Sequence, residues 1–243
     1  MTFKFRIYFS LLACVFSVAR AQVPETVKVE LSAVTWGVGL TGIFYRSAGK
    51  PVPLPVPALN AGVPPALTYS GPPQLELLRK VTSPDGVAAY VPAGIVQLDT
   101  THRRFLVLFT PPPMESGQPK VLSNIALPND DALFAKGQMR LANCTPVPVA
   151  VKCNQQVLEL PVGASRVISP GGAMVMLEIA VHDGTEWKLI ANNFLTIAPE
   201  TRLNTFIYLG GRLGESSPRV DSGQTALTAR DFAVLTLPDK AAP

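Results

Sequence analysis

Histidines, cysteines and paired acids are the residues on which a site would be built, and this 243-residue chain has few. It holds two histidines, His102 and His182, and three cysteines, Cys14, Cys144 and Cys153. Each histidine stands alone, His102 beside Arg103 and His182 before Asp183-Gly184. With no H-E-x-x-H, no His pair and no C-x-x-C, a zinc ion has no ligand set. Asp130-Asp131 is an adjacent acidic pair that lacks the alternating D-x-D-x-D of a calcium loop, and it reads as a solvated loop or a single helical turn. Neither a G-x-S-x-G elbow nor an S-x-x-K motif is read in the chain. A Ser-His-Asp set assembled from distant residues would have to use His102 or His182, so those two are the residues on which a hydrolytic activity would depend. The expectation is a chain with no catalytic residue, no metal and no cofactor, and not an enzyme.

Gly37-Val38-Gly39-Leu40-Thr41-Gly42 fits the G-x-G-x-x-G of a dinucleotide loop letter for letter. That loop needs a helix after it and an acidic residue about 20 positions on. Ile43 to Pro51 is aromatic and ends at proline, and no acid lies near Asn60. The glycines therefore belong to a strand-turn-strand passage. Asn143-Cys144-Thr145 matches an N-glycosylation acceptor and equally suits a structural hairpin.

The first 21 residues carry Lys4 and Arg6, an apolar stretch from Ile7 to Ala19, and Ala19-Arg20-Ala21 before Gln22. This is the pattern of a secretory signal cleaved after Ala21, which makes the protein secreted or periplasmic. The apolar stretch falls short of the ~20 residues that span a bilayer as a helix. Lipid attachment at Cys14, in a lipobox-like Leu-Leu-Ala-Cys, ranks below simple cleavage because little apolar core precedes it. Cleavage leaves 18 basic against 17 acidic residues, so the basic isoelectric point belongs partly to the signal and gives no footing for a nucleic-acid partner. No later segment is long and apolar enough to span a membrane, so the mature chain has no membrane span.

Export permits disulfides, and Cys144 and Cys153 are the cysteines that survive cleavage. A bond would close a ten-residue loop and stabilise by about 3 kcal/mol in the chain-entropy picture. An extended strand would hold them ~30 Å apart, so the bond requires the chain to turn at Thr145-Pro146. The pair is a candidate disulfide.

These residues must be carried by strands. The chain has 24 prolines and 18 glycines, a punctuation that suits short strands and turns. Val27, Val29 and Leu31 alternate with Lys28 and Glu30, a half-buried strand. Gln74 to Val81 and Val87 to Leu98 bracket a Ser83-Pro84-Asp85-Gly86 turn, and FLVLF at Phe105 to Phe109 reads as a buried central strand. Later strands are expected at 138–143, 147–152, 157–161, 166–169, 174–182, 187–191, 194–197 and 204–209, with a hairpin at Asp183-Gly184. Pro51, Pro53, Pro55 and Pro57 alternate with Val52, Leu54, Val56 and Ala58. Prolines two apart remove donors from one edge of a strand, which describes an edge blunted against association. Pro146 and Pro148 repeat this on a smaller scale.

A tandem repeat underlies the pattern. PVPLPV at Pro51 to Val56 matches VLELPV at Val157 to Val162. SGPPQLELLRK at Ser70 to Lys80 matches SPGGAMVMLEIAV at Ser169 to Val181, and Gly94 to Phe109 matches Asn193 to Leu209. The offsets stay near 100 residues, the size of one small domain. The expected organisation is a signal at 1–21, a first β-sandwich module at 22–113, a linker at 114–120, a second module at 121–211, and a polar tail at 212–243 with a candidate final strand at Phe232 to Leu237, docked on its own domain in preference to being offered to a partner.

Trp187-Lys-Leu, Phe206-Ile-Tyr-Leu, Leu160-Pro-Val-Gly163 and Ser169-Pro-Gly-Gly172 resemble the secreted immunoglobulin-like modules of unknown function found in bacterial envelope proteins. The resemblance covers mainly residues 139 to 211, and 40 to 110 more weakly. It implies an all-β fold of two tandem antiparallel β-sandwich domains and brings no catalytic residue. The reading is an exported, non-catalytic envelope protein acting in protein binding or scaffolding, its partner another envelope protein. The alternative is a periplasmic chaperone or assembly factor with two immunoglobulin-like domains, which would offer a sheet edge to a client strand.

Overall fold

A computed structural model describes residues 26–36, 38–82, 85–109, 121–182, 184–209 and 231–240. The signal segment, the 114–120 linker and the tail before residue 231 lie outside the described residues. Eight strands make a first unit: β1 Val27–Thr35, β2 Ile43–Ser47, β3 Lys50–Pro53, β4 Leu67–Gly71, β5 Gln74–Thr82, β6 Ala88–Gln97, β7 Arg104–Phe109 and β8 Asn124–Pro128. Eight more make a second: β9 Met139–Cys144, β10 Val149–Cys153, β11 Gln156–Leu160, β12 Ser165–Ile168, β13 Met174–His182, β14 Trp187–Thr196, β15 Thr201–Leu209 and β16 Phe232–Lys240.

The two units share one wiring. Each is a sandwich of two four-stranded sheets, ordered β4-β1-β7-β8 and β3-β2-β5-β6 in the first, β12-β9-β15-β16 and β11-β10-β13-β14 in the second. Neighbours are antiparallel except one pair per unit, β1 with β7 and β9 with β15, which run parallel. The long hairpins carry corresponding bulges, with Ala93 the extra residue in β6 and Ile190 in β14. The three matched segments of the repeat fall on β3 and β11, on β4–β5 and the turn into β13 with β13 itself, and on β6–β7 and β14–β15.

Three apolar clusters separate four stacked sheets. Val29, Leu31, Leu75, Leu77, Phe105 and Val107 fill the first sandwich. Met139, Leu141, Val151, Leu177, Ile179 and Ile207 fill the second. A third cluster joins them, with Val34, Trp36, Leu106, Leu108 and Leu127 meeting Ala142, Phe206 and Leu237. The inner sheets, β4-β1-β7-β8 and β12-β9-β15-β16, thus pack face to face. This explains FLVLF: in β7, Phe105, Val107 and Phe109 point into the sandwich while Leu106 and Leu108 point to the other unit. A strand buried on both faces loses its alternation and reads as an apolar run.

Several expectations change. Asn124–Pro128, assigned from sequence to the second module, pairs antiparallel with β7 and completes the first. Its counterpart β16 pairs with β15 over nine residues, so the final strand docks on its own unit. Segments 187–191 and 194–197 form one strand, because Asn192 and Asn193 stay in ladder opposite Glu178 and Leu177. The break read there is the loss of phase caused by the bulge at Ile190. Pro146 and Pro148 sit in the crossover before β10, not in a strand. Pro51 and Pro53 lie on β3 at the edge of its sheet, whereas Pro55 and Pro57 fall beyond that strand, where Val56 bridges Leu40 and Ala58 bridges Thr35.

Candidate functional site

Polar residues gather where the chain passes from one sandwich to the other. After β8 the chain makes a single turn, with Leu133 N and Phe134 N both donating to Asp130 O at 3.0 Å. This seats the Phe134 ring in the interior beneath two guanidinium groups, with Arg140 Cζ 4.4 Å and Arg202 Cζ 5.1 Å from its centroid. Arg202 is 0% exposed. Its Nε donates to Asp239 Oδ2 at 2.8 Å, and its Nη1 to Asp131 Oδ1 at 2.8 Å, Phe134 O at 2.9 Å and Asn129 O at 3.3 Å. Arg140 Nη1 donates to Asn129 Oδ1 and Asn204 Oδ1, both at 3.3 Å, and Nη2 donates to Pro128 O. Burial, then the charge of Arg202, lower the Arg140 pKa to about 10 against a smaller opposing pull from Asp239. One buried carboxylate, Asp239, and the half-exposed Asp131 thus face two buried cations.

Such an arrangement fixes position and does not supply a reactive group. A buried arginine held by a carboxylate and several carbonyls is oriented in one geometry, because each lost partner would leave a desolvated charge. The clamp ties β8, the connecting turn, β9, β15 and β16 together, so the two sandwiches are held as one body.

The residues singled out in the sequence take the following places. His102 Nδ1 lies 3.0 Å from Asp130 Oδ2, and its Nε2 lies 3.9 Å from Asp99 Oδ2. Asp130 Oδ1 also accepts from the backbone amides of Arg103 and Arg104. Asp130 thus holds the imidazole at Nδ1, while Nε2 stands beyond hydrogen-bond distance of Asp99. His182 lies on the second unit, edge-on to Trp187 at 5.1 Å, and Nδ1 accepts from Gly184 N. The two histidines are not brought together. Among the described residues no group of three or more His, Cys, Asp and Glu is placed to hold a metal ion.

Cys144 and Cys153, the candidate disulfide, are free thiols in this structure. Cys144 ends β9 and packs toward the cluster between the sandwiches, whereas Cys153 ends β10 inside the second sandwich. The chain does turn between them, but β10 then runs from Val149 back to Cys153, carrying that residue ~13 Å from the turn. Asn143 is buried, with Nδ2 donating to Val147 O, Leu160 O and Pro161 O at 2.8, 3.0 and 3.1 Å. Its amide is thereby committed to the crossover and not to a glycan. Gly42 is followed by β2, so the glycine run opens a strand; Gly37 lies outside the described residues. A Cβ on Gly39 would stand 3.3 Å from Ala58 N and Val56 O, the close backbone approach that the glycine serves.

Sequence reading passed over Ser47-Ala-Gly-Lys50, which has S-x-x-K spacing. Ser47 and Lys50 face each other across a two-residue hairpin with Ala48 and Gly49 at positive φ, so the serine sits at a hairpin tip. It also passed over Arg140 and Arg202. Their signal was a charged residue inside an apolar strand pattern, MRLAN and TRLNTFIYL. An open groove of about 390 Å³ between β6 and β8, lined by Ile95, Gln97, Val121, Leu122 and Asn124 among others, holds no titratable side chain.

No family model matches the chain, and no curated protein matches it in sequence. Among solved structures, it is similar to a crystal structure from Bacteroides eggerthii provisionally described as a cell adhesion protein. That likeness covers 89% of this chain and 96% of that one, at 7% identity and a TM-score of 0.22. Among the described residues no helix is long and apolar enough to cross a membrane.

Proposed function

We propose that this chain is an exported, non-catalytic protein of the cell envelope, secreted or periplasmic, that works by binding or scaffolding another envelope protein. The observation that supports this reading is the clamp at Arg202: the polar and charged groups best placed for chemistry are used to lock two sandwiches into one rigid body. A rigid body of this kind presents its outer sheets at fixed separation and suits recognition better than turnover. The test is recovery from intact envelopes after cross-linking, with fractionation and intact mass. The expected result is a chain beginning at Gln22, outside the cytoplasm, cross-linked to an envelope protein. A cytoplasmic chain that retains residues 1–21 and captures nothing would overturn the proposal.

The second reading, a periplasmic chaperone or assembly factor, draws support from one feature. β14 is a ten-residue strand without proline at the edge of its sheet, as a client strand would require. Co-expressed fimbrial subunits that gained no protection from proteolysis would remove it.

A further inference from the structure

His102 lies in the loop between β6 and β7 and faces carboxylates from two segments. Asp130 Oδ2, at the head of the turn that leads to the second sandwich, is 3.0 Å from Nδ1, and Asp99 Oδ2, in the loop itself, is 3.9 Å from Nε2. The His102 and Asp130 side chains are 21 and 20% exposed, so water screens their contact little. An ionised carboxylate only accepts hydrogen bonds, so Nδ1 carries the proton of the neutral ring and Nε2 presents a lone pair. Nε2 and Asp99 Oδ2 are then two acceptors with no proton between them.

Asp130 is where the turn is fastened. Its Oδ1 accepts from Arg103 N and Arg104 N at 3.0 and 3.1 Å, and its backbone O accepts from Leu133 N and Phe134 N, the bonds that seat Phe134 beneath Arg140 and Arg202. The charged groups of the surrounding elements are Asp99 and Arg103 in the loop, Arg104 at the start of β7, Asp130 and Asp131 in the turn, and Glu30 on β1. Arg104 is already paired, with Glu30 Oε2 at 3.1 Å and Asp131 Oδ2 at 3.0 Å. What faces the two ring nitrogens is therefore negative on both sides. Bonds from Thr101 N and then from Thr101 Oγ1 hold the Asp99 carboxyl below its ordinary value against a smaller desolvation, with the charge of His102 adding least. Asp99 thus stays charged across the range of about pH 5 to 8 in which an imidazole takes up its second proton.

We infer that His102 is a pH-responsive latch between the β6–β7 loop and the turn that joins the two sandwiches. In acid the ring is charged and Nε2 gains a proton, and a shift of about 1 Å then closes the gap to Asp99 to the ~2.8 Å of a charge-assisted hydrogen bond. Asp99, His102 and Asp130 form one connected chain from loop to turn. At higher pH the ring keeps its bond to Asp130 and releases Asp99. Two carboxylates surround the charged ring only in the folded chain, so the folded state holds this proton better than the unfolded state does. The stability supplied by the latch is therefore present in acid and is lost as pH rises. This inference goes beyond the envelope proposal and does not rest on it.

The test uses the purified full chain lacking the signal, carrying His182→Gln so that a single imidazole is left to follow. Between about pH 8 and about pH 5.5 its thermal midpoint should gain on that of the same chain with His102→Gln, by on the order of 2–4 °C. Asp99→Asn should remove most of that gain, because the bond to Asp130 is kept and the second contact is lost. By NMR the His102 ring should titrate at lower pH in Asp99→Asn than in the parent, a readout that a purely structural role would not move and that needs no change at His102 itself. Hydrogen exchange at Leu133 and Phe134, corrected for the intrinsic rate, should slow on acidification in the parent and not in Asp99→Asn. A midpoint difference that is flat with pH, a gain that Asp99→Asn leaves whole, or a ring that titrates alike with and without the Asp99 carboxylate would overturn the inference. None of these outcomes bears on where the protein resides.

Discussion

The side-chain amide of Asn129 donates to Asp239 Oδ2 over 3.1 Å, and the two residues hold the same place in the two sandwiches. Asn129 follows Pro128 at the end of β8 and donates its backbone N to Arg104 O, whereas Asp239 follows Pro238 in β16 and sits in ladder opposite Arg202. Phe105 opposite Pro128 corresponds to Leu203 opposite Pro238, which sets Arg104 against Arg202 as equivalents. Both arginines reach the carboxylate of Asp131, at 3.0 and 2.8 Å. Equivalent faces thus meet across a pseudo-two-fold axis, as in an isologous dimer folded into one chain.

Removing one side of the buried pair should be costly. Asp239→Ala leaves Arg202 without its nearest counter-ion in the interior, and a loss of about 3–5 kcal/mol is expected. Arg202→Met with Asp239→Leu should lose less than Asp239→Ala alone, since no charge is then stranded. Urea titrations of the single and double variants check this. A double variant weaker than Asp239→Ala would show that the pair itself, and not the avoidance of an unpaired charge, supports the interface.

Asn143→Ala should cost about 2 kcal/mol or more, because its carboxamide oxygen accepts from Thr145 N and Oγ1 and its nitrogen serves three carbonyls. The companion measurement is intact mass after secretion from a glycosylating host. No glycan is expected at Asn143, whose side chain is buried when the chain folds.

Gly94→Ala should destabilise the first sandwich by about 1–3 kcal/mol. Gly94 has φ +148, and an added Cβ would lie 3.0 Å from Leu122 O. Hydrogen exchange should report the loss first at Ala93 and Leu122, where that segment is laced to β6. Gly172→Ala, where a Cβ meets nothing within 4 Å, is the control.

Alkali should unfold the second sandwich partly through Cys144. Burial pushes its thiol from an ordinary value near 9 up to about 12. The folded value is the raised one, so the stabilisation is complete below pH 9 and is lost as pH rises from 9 towards 12. Denaturation midpoints measured from pH 8 upward should fall less steeply for Cys144→Ala than for the native chain. Tyr45, Tyr69 and Tyr208, also raised by burial, leave a residual slope. Reductant should not move the midpoint at neutral pH, since both described cysteines are free.

What was legible in the sequence was local. Strand existence followed from apolar alternation and Gly/Pro punctuation, and β13 is met at both ends, Met174 and His182. The repeat was visible because corresponding strands need the same periodicity. One further match, Ile125-Ala-Leu-Pro128 against Leu235-Thr-Leu-Pro238, was missed because the segments preceding the two strands differ in length and composition. That omission moved β8 into the wrong sandwich.

The clamp was not legible, because a charged residue in an apolar strand looks like a flaw until its partner is placed. Arg202 and Asp239 lie 37 residues apart in the chain and meet 2.8 Å apart in space. Spacing likewise left a Cys144–Cys153 bond as a candidate that depends on a turn, and the structure places the two free thiols on strands of different sheets.

By itself the sequence determined that this chain is all strand, built twice from one plan, since period and turn chemistry are properties of neighbouring residues. Only the tertiary structure decided that the two copies stack through their equivalent inner sheets, that Arg202 and Asp239 meet there, and that β14 is left as an edge. Those outcomes depend on which faces are buried against which, a long-range choice made by packing and desolvation and not written in any local stretch.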